Sequence, residues 1–235
     1  MWDELWIDDD FYKILERIIH RIYKIDEQGK AVPMMKSQHI VSPWVSIGKN
    51  TNRYCSIWMD LYYKIFNIYP SYCKDRCFKV VAYPKNCKET FELYEVMKEY
   101  NIHSKIGIDL RDYTPDKSSN FSAFFYCEDQ EHGQKVYEEV KELVKKVNPE
   151  MVVLLKKSCT EMELEKDLKP NPEWEKRLDD IFPKHELNES SPDWVDNRTK
   201  VYWLKHARAV GDLSYREVSS LPADEGKYEL YQEEK

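Results

Sequence analysis

Glycine is scarce in this chain. Only six occur in 235 residues, at positions 29, 48, 107, 133, 211 and 226, and none are close together. A phosphate-cradling loop or a dinucleotide fingerprint needs clustered glycines, so the common nucleotide-binding folds are disfavoured. Long apolar runs are also missing, and no stretch reaches the ~20 residues needed to cross a bilayer. The N-terminus lacks the basic start, apolar stretch and small-residue cleavage site of a secretory leader. Its first residues are acidic instead: Asp3, Glu4, Asp8, Asp9 and Asp10. The expectation is a cytoplasmic protein with no membrane partner. No long Lys/Arg run exists, and the net charge of −7 repels nucleic-acid phosphates at long range. Nucleic acid is therefore a disfavoured partner.

What is present is a globular composition, 42% hydrophobic and one-third charged. Aromatic residues are abundant, with seven Trp and seventeen Tyr. They supply burial, and they also enrich interfaces. Between Cys77 and Lys157, six patterned segments read strand, helix, strand, strand, helix, strand. Phe78 to Tyr83 is the first strand and Lys88 to Tyr100 the first helix. Ser104 to Leu110 alternates as a second strand, and a polar loop from Asp112 to Asn120 leads to a third, Phe121 to Cys127. Gln130 to Val147 is the second helix, and Met151 to Leu155 the fourth strand. That order is the split βαβ arrangement called ferredoxin-like, an α+β fold with a four-stranded antiparallel sheet in the order 4-1-3-2. Val80-Val81 and Val152 to Leu155 are apolar at consecutive positions, which suits strands covered on both faces. The second strand reads as an edge.

The flanks are less regular. Phe11, Ile14, Leu15, Ile18, Ile19, Ile22 and Tyr23 form one apolar stripe and predict a helix from Phe11 to Ile25. Ser56 to Phe66 predicts another. Between them, Pro33, Pro43 and Gly48 mark a loop with a short strand at His39 to Val41. Beyond Lys166, Pro170, Pro172, Pro183 and Pro192 punctuate an extended arm bearing Trp174, Phe182 and Trp194. A short helix from Arg198 to Val210 and an acidic tail follow. The division is residues 1–72 as helices packed on the core, 73–166 as the core, and 167–235 as the arm.

The topology brings cysteines together. Cys77 opens the first strand, Cys159 follows the fourth, Cys127 closes the third and His103 precedes the second, all at one end of the sheet. Cys73 and Cys55 lie just upstream, whereas Cys87 sits at the opposite end. A thiolate site for zinc or an iron–sulfur cluster would use Cys73, Cys77 and Cys159, with Cys55, Cys127 or His103 as the fourth ligand. Lys74, Arg76, Lys156 and Lys157 nearby could instead activate a thiol. The competing reading is that these are small apolar residues capping the sheet, since free cysteine is commonly buried.

Other constellations are weaker. Asp109, Arg111 and Asp112 read as a solvated strand end, and Glu161, Glu163, Glu165 and Asp167 as a solvated helix start. The third strand, Phe121 to Tyr126, is aromatic like a base-stacking platform but lacks the accompanying basic and glycine signature. No catalytic motif stands above its ordinary structural explanation. The function expected is protein binding of a regulatory or inhibitory kind, through an acidic, aromatic-rich surface with Trp174, Phe182 and Trp194 as anchors. The partner is another protein or a further copy of the chain. The alternatives are a metal-dependent or redox protein built on the cysteines, and a single-stranded nucleic-acid binder.

Overall fold

The structure, a computed structural model, describes residues 23–33, 42–48, 50–51, 71, 73, 77–109, 120–157, 172–181, 186–187 and 192–219. Its centre is a five-stranded antiparallel sheet. The strands are β3 (Trp44–Ile47), β5 (Phe78–Tyr83), β6 (Ser104–Ile108), β7 (Phe121–Cys127) and β8 (Val152–Lys157), in the order β3-β6-β7-β5-β8. Two short pairs lie outside it. β1 (Tyr23–Ile25) pairs with β2 (Ala31–Pro33), and β4 (Asn50–Thr51) with β9 (Glu186–Leu187). The helices are α1 (Cys87–Tyr100), α2 (Gln130–Val144), α3 (Pro172–Ile181), α4 (Asp193–Ala209) and the short α5 (Tyr215–Val218).

Local chemistry explains the two central helices. Asn86 caps α1 by accepting the Glu89 N–H at 2.9 Å, and Glu89 reaches back to the Lys85 N–H at 2.8 Å. At the other end Asn101 adopts the left-handed conformation, φ 50°, and its N–H bonds the Met97 carbonyl. Asp129 caps α2 by accepting the His132 N–H at 2.8 Å. Both helices pack on one sheet face, where Val80, Ala82, Ile106, Ala123 and Phe125 are buried with Leu93, Met97, Val136 and Val140. Alternation puts every second strand residue there.

The sheet has one strand more than the sequence pattern predicts. β3 pairs with β6, Val45 opposite Ile106 and Ile47 opposite Ser104. The second predicted strand is thus interior, not an edge. Proline and glycine on either side of Trp44–Ile47 disguised a strand too short to show its own period. What admits it is Gly107: a Cβ there would stand 2.1 Å from the Pro43 carbonyl oxygen. The bare backbone allows that oxygen to accept the Ile108 N–H at 3.2 Å. Among the described residues β8, the fourth predicted strand, ends the sheet as the order 4-1-3-2 has it, but Val152 and Leu154 are about half exposed rather than covered on both faces.

Two further expectations are corrected. Tyr23–Ile25 form a strand where the apolar stripe predicts the end of a helix. The Asp26 carboxylate accepts the N–H groups of Gln28 and Lys30, at 2.9 and 2.8 Å, and closes a tight turn that competes with helix. Residues 11–22, the predicted Ser56–Phe66 helix and the His39–Val41 strand lie outside the described residues. The C-terminal region is not simply an extended arm. Residues Pro172–Ile181 are helical, and α4 runs 17 residues against α1 and β3. Trp203 on α4 is fully buried, edge-on to Phe91 at 5.5 Å, and donates its indole N–H to Pro43 O at 2.9 Å.

Gly107→Ala is expected to force β3 from β6 and to destabilise the fold by about 1–3 kcal/mol, the range for overpacking a tight site. Urea denaturation measures it, and amide exchange should accelerate first at Ile108 and the Trp203 indole. Unchanged stability would contradict the close approach.

Candidate functional site

Four places on this framework could carry chemistry or binding. The first is the sheet end where the cysteines were expected to gather. Phe78 pairs with Cys127, and His103 O accepts the Tyr126 N–H at 3.2 Å, so Cys77, Cys127 and His103 do share one end. They do not share one face. Cys127 belongs to the helix-covered core, with its thiol 3.6 Å from the Phe125 carbonyl. Alternation from Phe78 and Ser104 puts Cys77 and His103 on the other face, where His103 stacks on Tyr126 at 5.0 Å. Burial pushes the Cys127 thiol up to about 11 and holds His103 below its ordinary value. His103 Nε2 is buried with no hydrogen-bond partner among the described residues. Cys73 is buried in a separate segment, and Cys55 and Cys159 lie outside the described residues. Among the described residues, no three His, Cys, Asp or Glu side chains are grouped to hold a metal. Cys87, at the opposite end, is a buried thiol pushed up to about 12 by burial first and the Asp212 carboxylate second.

The second place is the sheet face away from α1 and α2. Trp44 and Phe124 lie there with ring centroids 5.5 Å apart. Lysines already occupy the rings: Lys105 Nζ sits 4.4 Å from the Trp44 centroid, and Lys79 Nζ 5.2 Å from that of Phe124. Lys79 and Val81 are buried at the centre of this face. Stacked bases would need that space and those ring faces. Asp109, at the exit of β6, donates its N–H to Asn120 O at 3.0 Å, which continues the pairing of the two strands.

The third place is the contact between α1 and α4. Tyr94 donates its hydroxyl to Asp196 Oδ2 at 2.6 Å, both side chains being buried. Lys200 holds its ammonium 4.1 Å from the Tyr94 ring and 3.1 Å from Glu95. Asp196 Oδ1 has no hydrogen-bond partner among the described residues. Burial raises the Asp196 carboxyl above its usual range, against the lowering effects of the Tyr94 hydroxyl, Lys98 and Lys200. Tyr94 is raised as well, by burial first and its bond to Asp196 second. The sequence gives this pair no signal, because its members lie 102 positions apart.

The fourth place is the outer face of α4. Trp194, expected as an interface anchor, is 48% exposed there. Val201 and Tyr202 are 43% and 50% exposed, and Arg198 lies over the Trp194 ring at 5.7 Å. Spacings of four, seven and eight put these residues on one stripe opposite the buried Val195, Thr199 and Trp203. That spacing is legible once the helix is begun at Asp193 rather than Arg198. Of the other expected anchors, Trp174 falls on α3 and Phe182 lies outside the described residues. No helix among the described residues is long and apolar enough to cross a membrane. No family model, curated protein or solved structure matches the chain.

Asp196 generates a pH prediction. Its folded pKa is raised, so its stabilising form is the protonated one. That contribution is fully present below the unfolded carboxylate value of about 4 and is lost as pH rises through the folded value. Asp196→Asn should remove this slope. The variant should therefore gain stability relative to the wild type as pH rises above the unfolded carboxylate value of about 4, read from urea midpoints. Parallel pH profiles for the two proteins would show that Asp196 ionises in the fold without penalty.

Proposed function

We propose that the protein works without catalysis, by binding another protein through the outer face of α4, on a ferredoxin-like core extended by β3. The strand order β8-β5-β7-β6 and the alternation of α1 and α2 with the strands support the fold assignment. One observation carries the functional reading. Three large apolar side chains, Trp194, Val201 and Tyr202, stand half exposed on one stripe of one helix, while the other side of that helix is packed into the core.

Aromatic side chains of this kind are typical binding anchors, with large contact area and few rotamers to freeze. Their surroundings narrow the partner. Arg198, Lys205 and Arg208 are exposed on the same side of the helix. The molecule is acidic as a whole, with net charge −7, but this stripe has a basic rim. A complementary partner offers an apolar groove edged by Asp or Glu. Occupying such a groove would regulate or inhibit whatever else uses it.

Replacing Trp194 and Tyr202 together by Ala is the test. Both side chains point away from the core, so the unfolding midpoint should stay within the usual range of surface substitutions. Affinity for a purified partner, first captured by the wild-type chain, should fall about tenfold or more. Equal binding by the double variant would sink the proposal.

A further inference from the structure

We propose that β8 is a self-association edge, pairing antiparallel with β8 of a second copy about a twofold axis at Leu154. The surface is separate from the α4 face. In the sheet order β8 comes last, and among the described residues it pairs with β5 alone. Among the described residues its outward N–H and C=O groups are therefore left for a ladder.

The side chains along this edge are not those of a protected one. Val152 is 52% and Leu154 46% exposed, on the same face as the partly exposed Tyr83, which pairs with Val152. Natural edges are usually blunted along their length by charge, proline or a bulge. Here the charge is confined to one end, at Lys156 and Lys157.

That asymmetry fits a copy of itself. In a twofold antiparallel pair, residues facing each other must lie on the same side of the sheet, so the two numbers sum to an even value. Centring on Leu154 places Leu154 opposite its own counterpart and Val153 opposite Leu155. Val152 then faces Lys156, and no lysine faces a lysine. Both half-exposed apolar residues gain a cross-strand neighbour. The exposed Glu150, two residues before Val152, is the acid nearest the incoming Lys156. Centring on Lys156 would oppose like charges. Centring on Leu155 would carry Val152 past the end of the partner strand. The combined strands form a continuous ten-stranded sheet. An edge of this length gives a small interface, so the dimer is expected to be weak and concentration-dependent.

Sedimentation of the full chain over a concentration series tests this. The average mass should rise toward twice the monomer value. Leu154→Lys alone and Leu154→Glu alone should each weaken association about tenfold or more, because like charges meet on the axis. An equimolar mixture of the two variants should restore it, since opposite charges then meet. Thermal unfolding of each variant checks that the exposed position tolerates the change. The Trp194→Ala, Tyr202→Ala double variant should still dimerise, which separates this proposal from binding at α4. A wild type that stays monomeric throughout would overturn the inference. So would association that neither Leu154 variant weakens, or a mixture that fails to recover.

Discussion

The carbonyl oxygen of Pro43 holds three parts of the chain together. It accepts the Ile108 N–H of β6 and the Trp203 indole N–H of α4, at 3.2 and 2.9 Å. Gly107 leaves the space in which it sits. One residue earlier, the Ser42 carbonyl accepts the Thr199 hydroxyl at 2.9 Å. Pro43 is half-buried, and a carbonyl shut away from water costs about 1–3 kcal/mol when left unbonded. The fifth strand and the C-terminal helix are therefore mutually dependent. β3 gives α4 its polar contacts, and α4 covers the sheet end with Trp203.

The same helix is fixed to α1 at two more points. Near its start, Asp196 accepts the Tyr94 hydroxyl. Beyond its end, Asp212 accepts the Cys87 N–H at 2.7 Å and Ser214 the Lys88 N–H at 3.1 Å. Those N–H groups belong to the first turn of α1, which has no intrahelical partners for them. The carboxylate also meets the positive end of the helix dipole. Residues distant in sequence thus complete a cap that Asn86 begins. This packing leaves the opposite stripe of α4 outside, and that exposes Trp194 and Tyr202.

The candidate sites were legible to different degrees. The common end of Cys77, Cys127 and His103 follows from strand order alone. Their separation onto two faces follows from alternation, which could have been counted from Phe78, Ser104 and Cys127. Trp194 stood out as an isolated aromatic, but its companions Val201 and Tyr202 did not. The expected helix began too late to include the spacing that joins them. The Tyr94–Asp196 pair had no local signature, since neither spacing nor composition relates residues so far apart.

By itself the sequence determined the order of the central elements and their lengths to within a few residues. These depend on short-range physics: side-chain alternation, hydrophobic period and hydrogen bonds within a few residues. Only the tertiary structure decided that β6 has a second neighbour, that one face of β8 is left half exposed, and that α4 belongs to the core. Each depends on which distant segment comes to cover a face or satisfy a carbonyl. A strand such as Val152–Leu155 carries the same apolar pattern whether it is covered on one side or two, and a glycine such as Gly107 does not announce which backbone will approach it.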